Sequence, residues 1–484
     1  MQKNHQKPRG CLSYSSARIR ATISLVQMAG QRTLQGDAMK EFFEQLSREV
    51  QSHNSISNEM FTKFNVKRGL RNEDGSGVLV GLTEISSVMG YHKYDEELVP
   101  VDGRLFYRGI DVRDIIAAGQ KEDRYLFEET AYLLLAGKLP DTSELKFFRQ
   151  LLAENRELPR NFVRDQLSTF RTPDIMNALA RSVLTLYSFD ENPDGTSFDN
   201  LLRQSVELVA KVPCIVAYAY RVYLETFRGR SLIIHRSNRD YTAAQDFLSL
   251  IRDDGQFTET EARVLDTVLV LHADHGGGNN STFTTRVVTS SGTDTYSAIA
   301  AALGSLKGPL HGGANVYVAR MMNDIKANVK NWTNADELRD YVGRILRGEV
   351  GDRSGKVYGF GHAVYTLSDP RAIILKDYAL KLAQEKNRMD ELNLFSLMEK
   401  VVPQAFAEVK QNSKKVSPNV DFFSGFVYDC LGIPMELYTP LFAMARTAGW
   451  VSHRIEELLV QKRIMRPAYK NVTSPKGYTP LEKR

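Results

Sequence analysis

Apolar residues recur three and four positions apart along most of the chain after residue 38, the spacing that lines one face of a helix. In 143–152 the stripe is Leu145, Phe148 and Leu152. Similar stripes run through 42–50, 175–186, 201–212, 241–251, 261–271, 296–306, 335–346, 371–382 and 435–459. Ser143 ahead of an acidic first turn and Thr333-Asn334 ahead of Asp336 read as capping signals. Pro213 interrupts one long pattern and is expected to break or kink it. Strand signals are confined to 78–80, 84–88 and 105–107, a small β element on a helical body. The expected fold class is mainly α, with turn-rich points near 307–315, 348–370 and 414–426.

Composition narrows the function classes. A chain of 484 residues with 42% hydrophobic and 25% charged residues has the profile of a globular protein. No apolar run approaches the roughly eighteen residues of a membrane helix, so no membrane partner is expected. Three cysteines, Cys11, Cys214 and Cys430, cannot form a disulfide framework and point to a reducing compartment. The net charge of +5 sits in residues 1–36, which hold six basic residues and no acid. Removing those six leaves 57 basic against 58 acidic residues, a neutral body that argues against nucleic acid as a partner. The first 37 residues therefore read as a basic tail, with either a disordered extension or a mitochondrial transit peptide as its explanation.

Three turn-rich segments carry candidate chemistry. His272, Asp274 and His275 stand beside three consecutive glycines and Asn279, either as a polar ligand cradle or as a capped helix end with satisfied histidines. A metal site built on the two histidines and Asp274 lacks a further ligand nearby. His311, in Gly308-Pro309-Leu310-His311-Gly312-Gly313, precedes a helix whose N-terminus would keep its ring neutral, fit to stabilise an enolate oxygen. His362 lies between glycine-rich Lys356–Gly361 and Arg371, which opens a helix and could clamp a carboxylate. A fourth segment, 419–425, sets Asp421 among Val420, Phe422 and Phe423. Apolar surroundings raise a carboxyl pKa, as a general base acting on a weak carbon acid requires. The competing reading of Asp421 is an N-cap for the helix that follows.

In chain order, LHADHGGGNNSTFTTRV, LKGPLHGGAN, YGFGHAVYTLSDPRA and NVDFFSG closely resemble the citrate synthase family. The resemblance spans about residues 75–470, with Arg446 and Arg466 matching two further arginine positions. It implies that Asp421 abstracts a methyl proton from acetyl-CoA, His311 stabilises the enol, and His362 polarises the keto oxygen of oxaloacetate. It further implies that His275, Asn279, Arg371 and Arg446 line the oxaloacetate site, and that Arg466 reaches the site of the partner in a homodimer. Contacts to CoA would fall to Lys356, Gly359 and Gly361. Ala363 and Thr366 stand where many bacterial relatives carry basic residues, which makes Lys356 the candidate substitute.

The implied fold has a large helical domain, 38–312 with 424–484, and a small one, 313–423, closing over the ligands. No metal and no resident cofactor are expected, acetyl-CoA being a co-substrate, and the expected location is cytoplasmic. The nearest rival is 2-methylcitrate synthase, with propionyl-CoA as donor. A metal-dependent hydrolase on His272, Asp274 and His275, and a non-catalytic scaffold, are the rivals from other classes.

Overall fold

A computed structural model describes residues 36–94, 97–411 and 416–484. Most of the basic tail lies outside these, although Gly36 and Asp37 already belong to the first helix. The chain divides into two compact units at Val78/Leu79. The first holds the Gly36–His53 helix, whose Met39, Phe42, Phe43, Leu46 and Val50 are exposed, and the short Asn58–Lys63 helix. The second, Leu79–Arg484, contains every candidate site residue. The expected 313–423 boundary falls wholly within the second unit and is a different division.

The second unit is helical, as expected. Its mast is the Tyr438–Val460 helix, buried along nearly its whole length and packed on the Phe127–Ala136, Phe198–Arg228, Glu259–His272, Asn280–Thr289 and Thr295–Lys307 helices. Leu441, Met444, Trp450 and Val451 are fully buried on it, and each such side chain stabilises by about 1.5–3 kcal/mol. A second group of helices, Ala314–Asn328, Ala335–Leu346, Pro370–Glu385, Met389–Lys410 and Val420–Cys430, packs largely on itself around Phe395, Phe422 and Phe426.

Several local expectations need correction. Pro213 does not interrupt its helix, which runs unbroken over Phe198–Arg228. A proline inside a helix costs about 3 kcal/mol, and the burial of Val212, Cys214, Ile215 and Val216 around it offsets that cost. The helix of 143–152 is capped by Asp141, not Ser143. Asp141 accepts from the Glu144 amide while Glu144 reaches back to the Asp141 amide. Asn334 does cap its helix, accepting from the Asp336 and Glu337 amides. The β element is larger than its sequence signals: β1 (Ser86–Tyr94), β2 (Glu97–Tyr107) and β3 (Ile110–Asp111) form an antiparallel sheet in that order. Val78–Val80 lies outside it. Arg108 and Gly109, both at positive φ, make the tight turn between β2 and β3.

Candidate active site

The segment bearing His362 is strapped to the segment bearing Asp421. The Gly361 amide donates to the Ser417 carbonyl at 2.9 Å and the Asn419 amide to the Gly359 carbonyl at 2.9 Å. The Asn419 side-chain amide reaches the Gly361 carbonyl at 2.9 Å. Both glycines have φ near +80°, and a Cβ at Gly359 would press on Val318 and the Phe422 backbone. Glycine is therefore required at position 359 by conformation and by contact. These two candidates for CoA contacts thus hold the strap through their backbones.

Asn419 takes the capping place that the competing reading gave to Asp421. Its Oδ1 accepts from the Asp421 amide at 3.0 Å, so Asn419, and not Asp421, is the N-cap of the Val420–Cys430 helix. Burial pushes that carboxyl from 3.8 up to about 6. Arg371 and Arg446 pull it down, and the Asp369 carboxylate pushes it up.

Asp369 organises the neighbouring arginine. Its carboxylate accepts from the Arg371 amide at 3.0 Å and from Nε and a terminal nitrogen at 3.0 and 2.8 Å. It also accepts from the Val420 amide at 3.1 Å, tying the helix of Arg371 to that of Asp421. Burial works against the charge of Arg371, but Asp369 outweighs it and holds the guanidinium above its ordinary range.

His362 Nδ1 accepts from the Val364 and Tyr365 amides at 3.0 and 3.2 Å. Two donors on Nδ1 leave the proton of the neutral ring on Nε2. The His362 ring stacks on Tyr365, with centroids 4.7 Å apart, and stands edge-on to His275 at 5.1 Å. Burial, together with the charges of Arg371, His362 and Arg446, pushes His275 down, and its Nε2 has no partner.

His311 sits in the turn before the Ala314–Asn328 helix. Its Nε2 lies 3.3 Å from the Ser281 amide and 3.0 Å from Ser281 Oγ. Ser281 Oγ accepts from Trp450 Nε1 at 3.1 Å and donates to Asn279 Oδ1 at 2.9 Å. The amide bond makes Nε2 an acceptor, so Nδ1 carries the proton. Burial, aided by Arg446, pushes the ring down to about 4. Burial and Arg446 favour the neutral ring that the sequence led us to expect.

Arg446 is fully buried on the mast helix. Its Nε donates to the His272 carbonyl at 2.7 Å, and both terminal nitrogens lack a partner. Burial pushes the guanidinium down to about 10, against the pull of the Asp274 carboxylate. A buried, unpaired guanidinium fork is shaped for a carboxylate.

The metal arrangement of His272, Asp274 and His275 does not form. His272 Nε2 lies 2.6 Å from the Tyr428 hydroxyl, and Asp274 turns to Ser86 and to His453 Nε2 at 3.1 Å. Among the described residues no group of three or more His, Cys, Asp or Glu is arranged to hold a metal ion. Lys356 and Arg466 are exposed, and Asn279 spends its carbonyl oxygen on Ser281. Sequence reasoning missed Ser281, Tyr365, Asp369 and Trp450. Asp369 carried a usable signal, an acid directly before the Pro370 that opens a helix.

Residues 74–468 match a family model described as "Citrate synthase, C-terminal domain". A citrate synthase of Synechocystis sp. is 38% identical over 372 residues, 76% of this chain and 84% of that protein. A 2-methylcitrate synthase 1 of Corynebacterium glutamicum is 32% identical over 396 residues, 81% of this chain and 91% of that protein. Among solved structures, citrate synthase of Thermoplasma acidophilum in a ternary complex with carboxymethyl coenzyme A and oxaloacetate matches with a TM-score of 0.71 at 28% identity. That match covers 87% of this chain and 99% of the other. Citrate synthase of Pyrobaculum aerophilum matches with a TM-score of 0.69 at 31% identity, covering 84% and 94%.

Proposed function

The chain belongs to the citrate synthase family, and from that membership and the geometry of the site we propose that it condenses acetyl-CoA with oxaloacetate to give citrate and CoA. The Asp421 carboxylate takes a proton from the acetyl methyl group. The Nδ1–H of His311 donates to the thioester oxygen and stabilises the enol as it forms. The Nε2–H of His362 polarises the keto carbonyl of oxaloacetate, and the enol carbon attacks it. The new alkoxide takes its proton from His362, and water then hydrolyses the citryl thioester, so that one water is consumed for each CoA released. General base and oxyanion donor contribute about 10²–10⁴-fold and 10²–10³-fold in typical enzymes.

The observation that carries this reading is the Arg446 fork, two buried donor groups with no partner in the chain. Arg446 and Arg371 hold the carboxylates of oxaloacetate, and His275 lines the same pocket through its unpaired Nε2. Lys356 is the proposed contact to a CoA phosphate. Closure of 313–423 over 38–312 and 424–484 expels water from the enol.

A homodimer completes the proposal. In that assembly Arg466, on the exposed tail, serves the site of the other subunit. Among the described residues no helix is long and apolar enough to cross a membrane, and the bacterial relatives support a cytoplasmic location.

A free-thiol assay with oxaloacetate and either acetyl-CoA or propionyl-CoA tests the reaction. Thiol release that needs both substrates, with the higher kcat/KM for acetyl-CoA, is the expected result. One methylene in an apolar pocket is worth about 1–3 kcal/mol, and a preference for propionyl-CoA would assign the chain to 2-methylcitrate synthesis instead.

A further inference from the structure

The two histidine-bearing segments are moored on the same two-stranded ribbon. At its root, Ser86 Oγ hydrogen-bonds the Asp274 carboxylate and accepts from the Gly276 amide at 2.9 Å. The partner of Ser86 across the ribbon is Tyr107, whose hydroxyl donates to the Val270 and Asp274 carbonyls at 2.8 and 3.2 Å. These bonds enclose His275 on both sides.

Further along the ribbon, the Gly103 amide donates to the Ser368 carbonyl and to Ser368 Oγ, each at 3.2 Å. Ser368 Oγ donates onward to the Asp102 carboxylate at 2.9 Å. The Tyr365 hydroxyl reaches the Arg104 carbonyl at 3.4 Å. The approach is close enough that a Cβ at Gly103 would collide with the Ser368 carbonyl and the Tyr365 ring, and one at Gly90 with Val364 and Tyr365. Neither glycine has positive φ; Gly90 also sits at the break in the β1–β2 register between Met89 and Tyr91, while at Gly103 the close approach is what leaves no room for a Cβ.

We infer that the β1–β2 ribbon is the positioning element of the oxaloacetate pocket, Ser86 fixing the turn of His275 and Gly103 the loop of His362. The 5.1 Å approach of the two rings then depends on contacts that both segments make with one strand pair. The ribbon touches no reacting atom in this arrangement; Ser86 and Gly103 are positioning residues. The substrate named here rests on the citrate synthase reading, while the mooring of the two rings does not.

The test uses the full chain and the variants Gly103→Ala, Ser368→Ala and Ser86→Ala. Gly103→Ala must push the Ser368 carbonyl back by about 1 Å, and a misplacement of that size costs about 10²-fold in rate. The expected result is a loss of about 100-fold in kcat/KM for oxaloacetate, with KM for acetyl-CoA unchanged and a displaced NMR signal of the His362 ring. Ser86→Ala should displace the His275 ring signal. Ser368→Ala removes only a hydroxyl and should give a smaller loss of the same pattern, which keeps the inference testable if Gly103→Ala does not fold. Unmoved ring signals with wild-type oxaloacetate kinetics would overturn it. So would losses spread equally over both substrates and tracking a lower melting temperature, the pattern of a purely structural role. If the wild-type chain fails to condense the two substrates, the ring signals still decide the mooring.

Discussion

Replacing Asp421 by asparagine should abolish turnover and at the same time stabilise the folded protein at neutral pH. Burial raises the carboxyl from 3.8 to about 6, so the folded chain resists an ionisation that the unfolded chain makes freely. At 1.36 kcal/mol for each tenfold change in proton affinity, that interval amounts to about 3 kcal/mol. The sign follows from linkage. A group whose pKa is higher in the folded state adds nothing unfavourable below pH 4, begins to cost stability as pH rises from 4, and carries the full cost above 6. Asp421→Asn removes the cost without changing the shape of the side chain. The gain should therefore be about 3 kcal/mol at pH 8 and vanish near pH 4. For a chain of this length the unfolding entropy is on the order of 1 kcal/mol per kelvin, so the melting temperature should rise by about 3 °C at pH 8. Urea denaturation of the unliganded protein at both pH values, beside the thiol assay, reads both effects. Equal stability of variant and wild type at pH 8 would refute the placement of Asp421 as a strained, desolvated base. Retention of more than about 1% of kcat would refute its catalytic role.

Arg446→Met should lower kcat/KM for oxaloacetate by about 10²–10⁴-fold, the worth of two charge-assisted hydrogen bonds. KM for acetyl-CoA should stay unchanged, and oxaloacetate should no longer raise the melting temperature. In the wild type, kcat/KM should rise with pH through about 6 as Asp421 loses its proton. No limb near 7 from His311 or His275 should interrupt it, because His311 is pushed down to about 4 and His275 also lies below its ordinary value; initial rates from pH 5 to 8 check this. Gly449→Ala should prevent folding or lower stability by several kcal/mol, since its Cβ would collide with the Asp274 carboxylate and sit 2.5 Å from the Ala273 carbonyl. By contrast Gly304→Ala, with open space in a helix, should stabilise by up to about 1 kcal/mol in the same urea titration.

Many helices with one apolar and one polar face were legible, though Val112–Glu122 and Met389–Lys410 were not among them. The stripes at 175–186 and 335–346 coincide with Ile175–Leu186 and Ala335–Leu346. The Phe198–Arg228 helix was legible only in part. It is buried all round from Val212 to Leu224, so its sequence loses the stripe there and Pro213 dominates the reading. The hairpin was underestimated for another reason. Its far half, with Tyr91, Tyr94 and Val99, is exposed and lacks the alternation of a half-buried strand. Within the site, the ionisable residues stood out in sequence because histidine and aspartate beside glycine are chemically conspicuous. Ser281 and Asp369 did not, because their importance lies in what they hold across the fold, His311 at thirty residues' distance and the Val420 amide at fifty-one.

The positions of the unpaired buried groups carry the functional argument further than any single motif. Leaving a buried donor or acceptor without a partner costs about 1–3 kcal/mol. Both terminal nitrogens of Arg446, Nε2 of His275 and Oδ1 of Asp274 are all in that condition. Asp274 can bear it, because Ser86, His453 and the field of Arg446 hold its charge well below the ordinary carboxylate range against its burial. For Arg446 the Asp274 carboxylate and the Nε bond to the His272 carbonyl compensate only in part, and burial still wins; for His275 burial and the neighbouring charges all push the same way. Burial lowers the proton affinity of both, so each is held as a donor or acceptor that water does not solvate. A methionine and a phenylalanine would fill the same volumes at lower cost. An anionic ligand would complete Arg446 and His275, and a keto-dicarboxylate would bring a carboxylate for Arg446 and a carbonyl for His362 in one molecule.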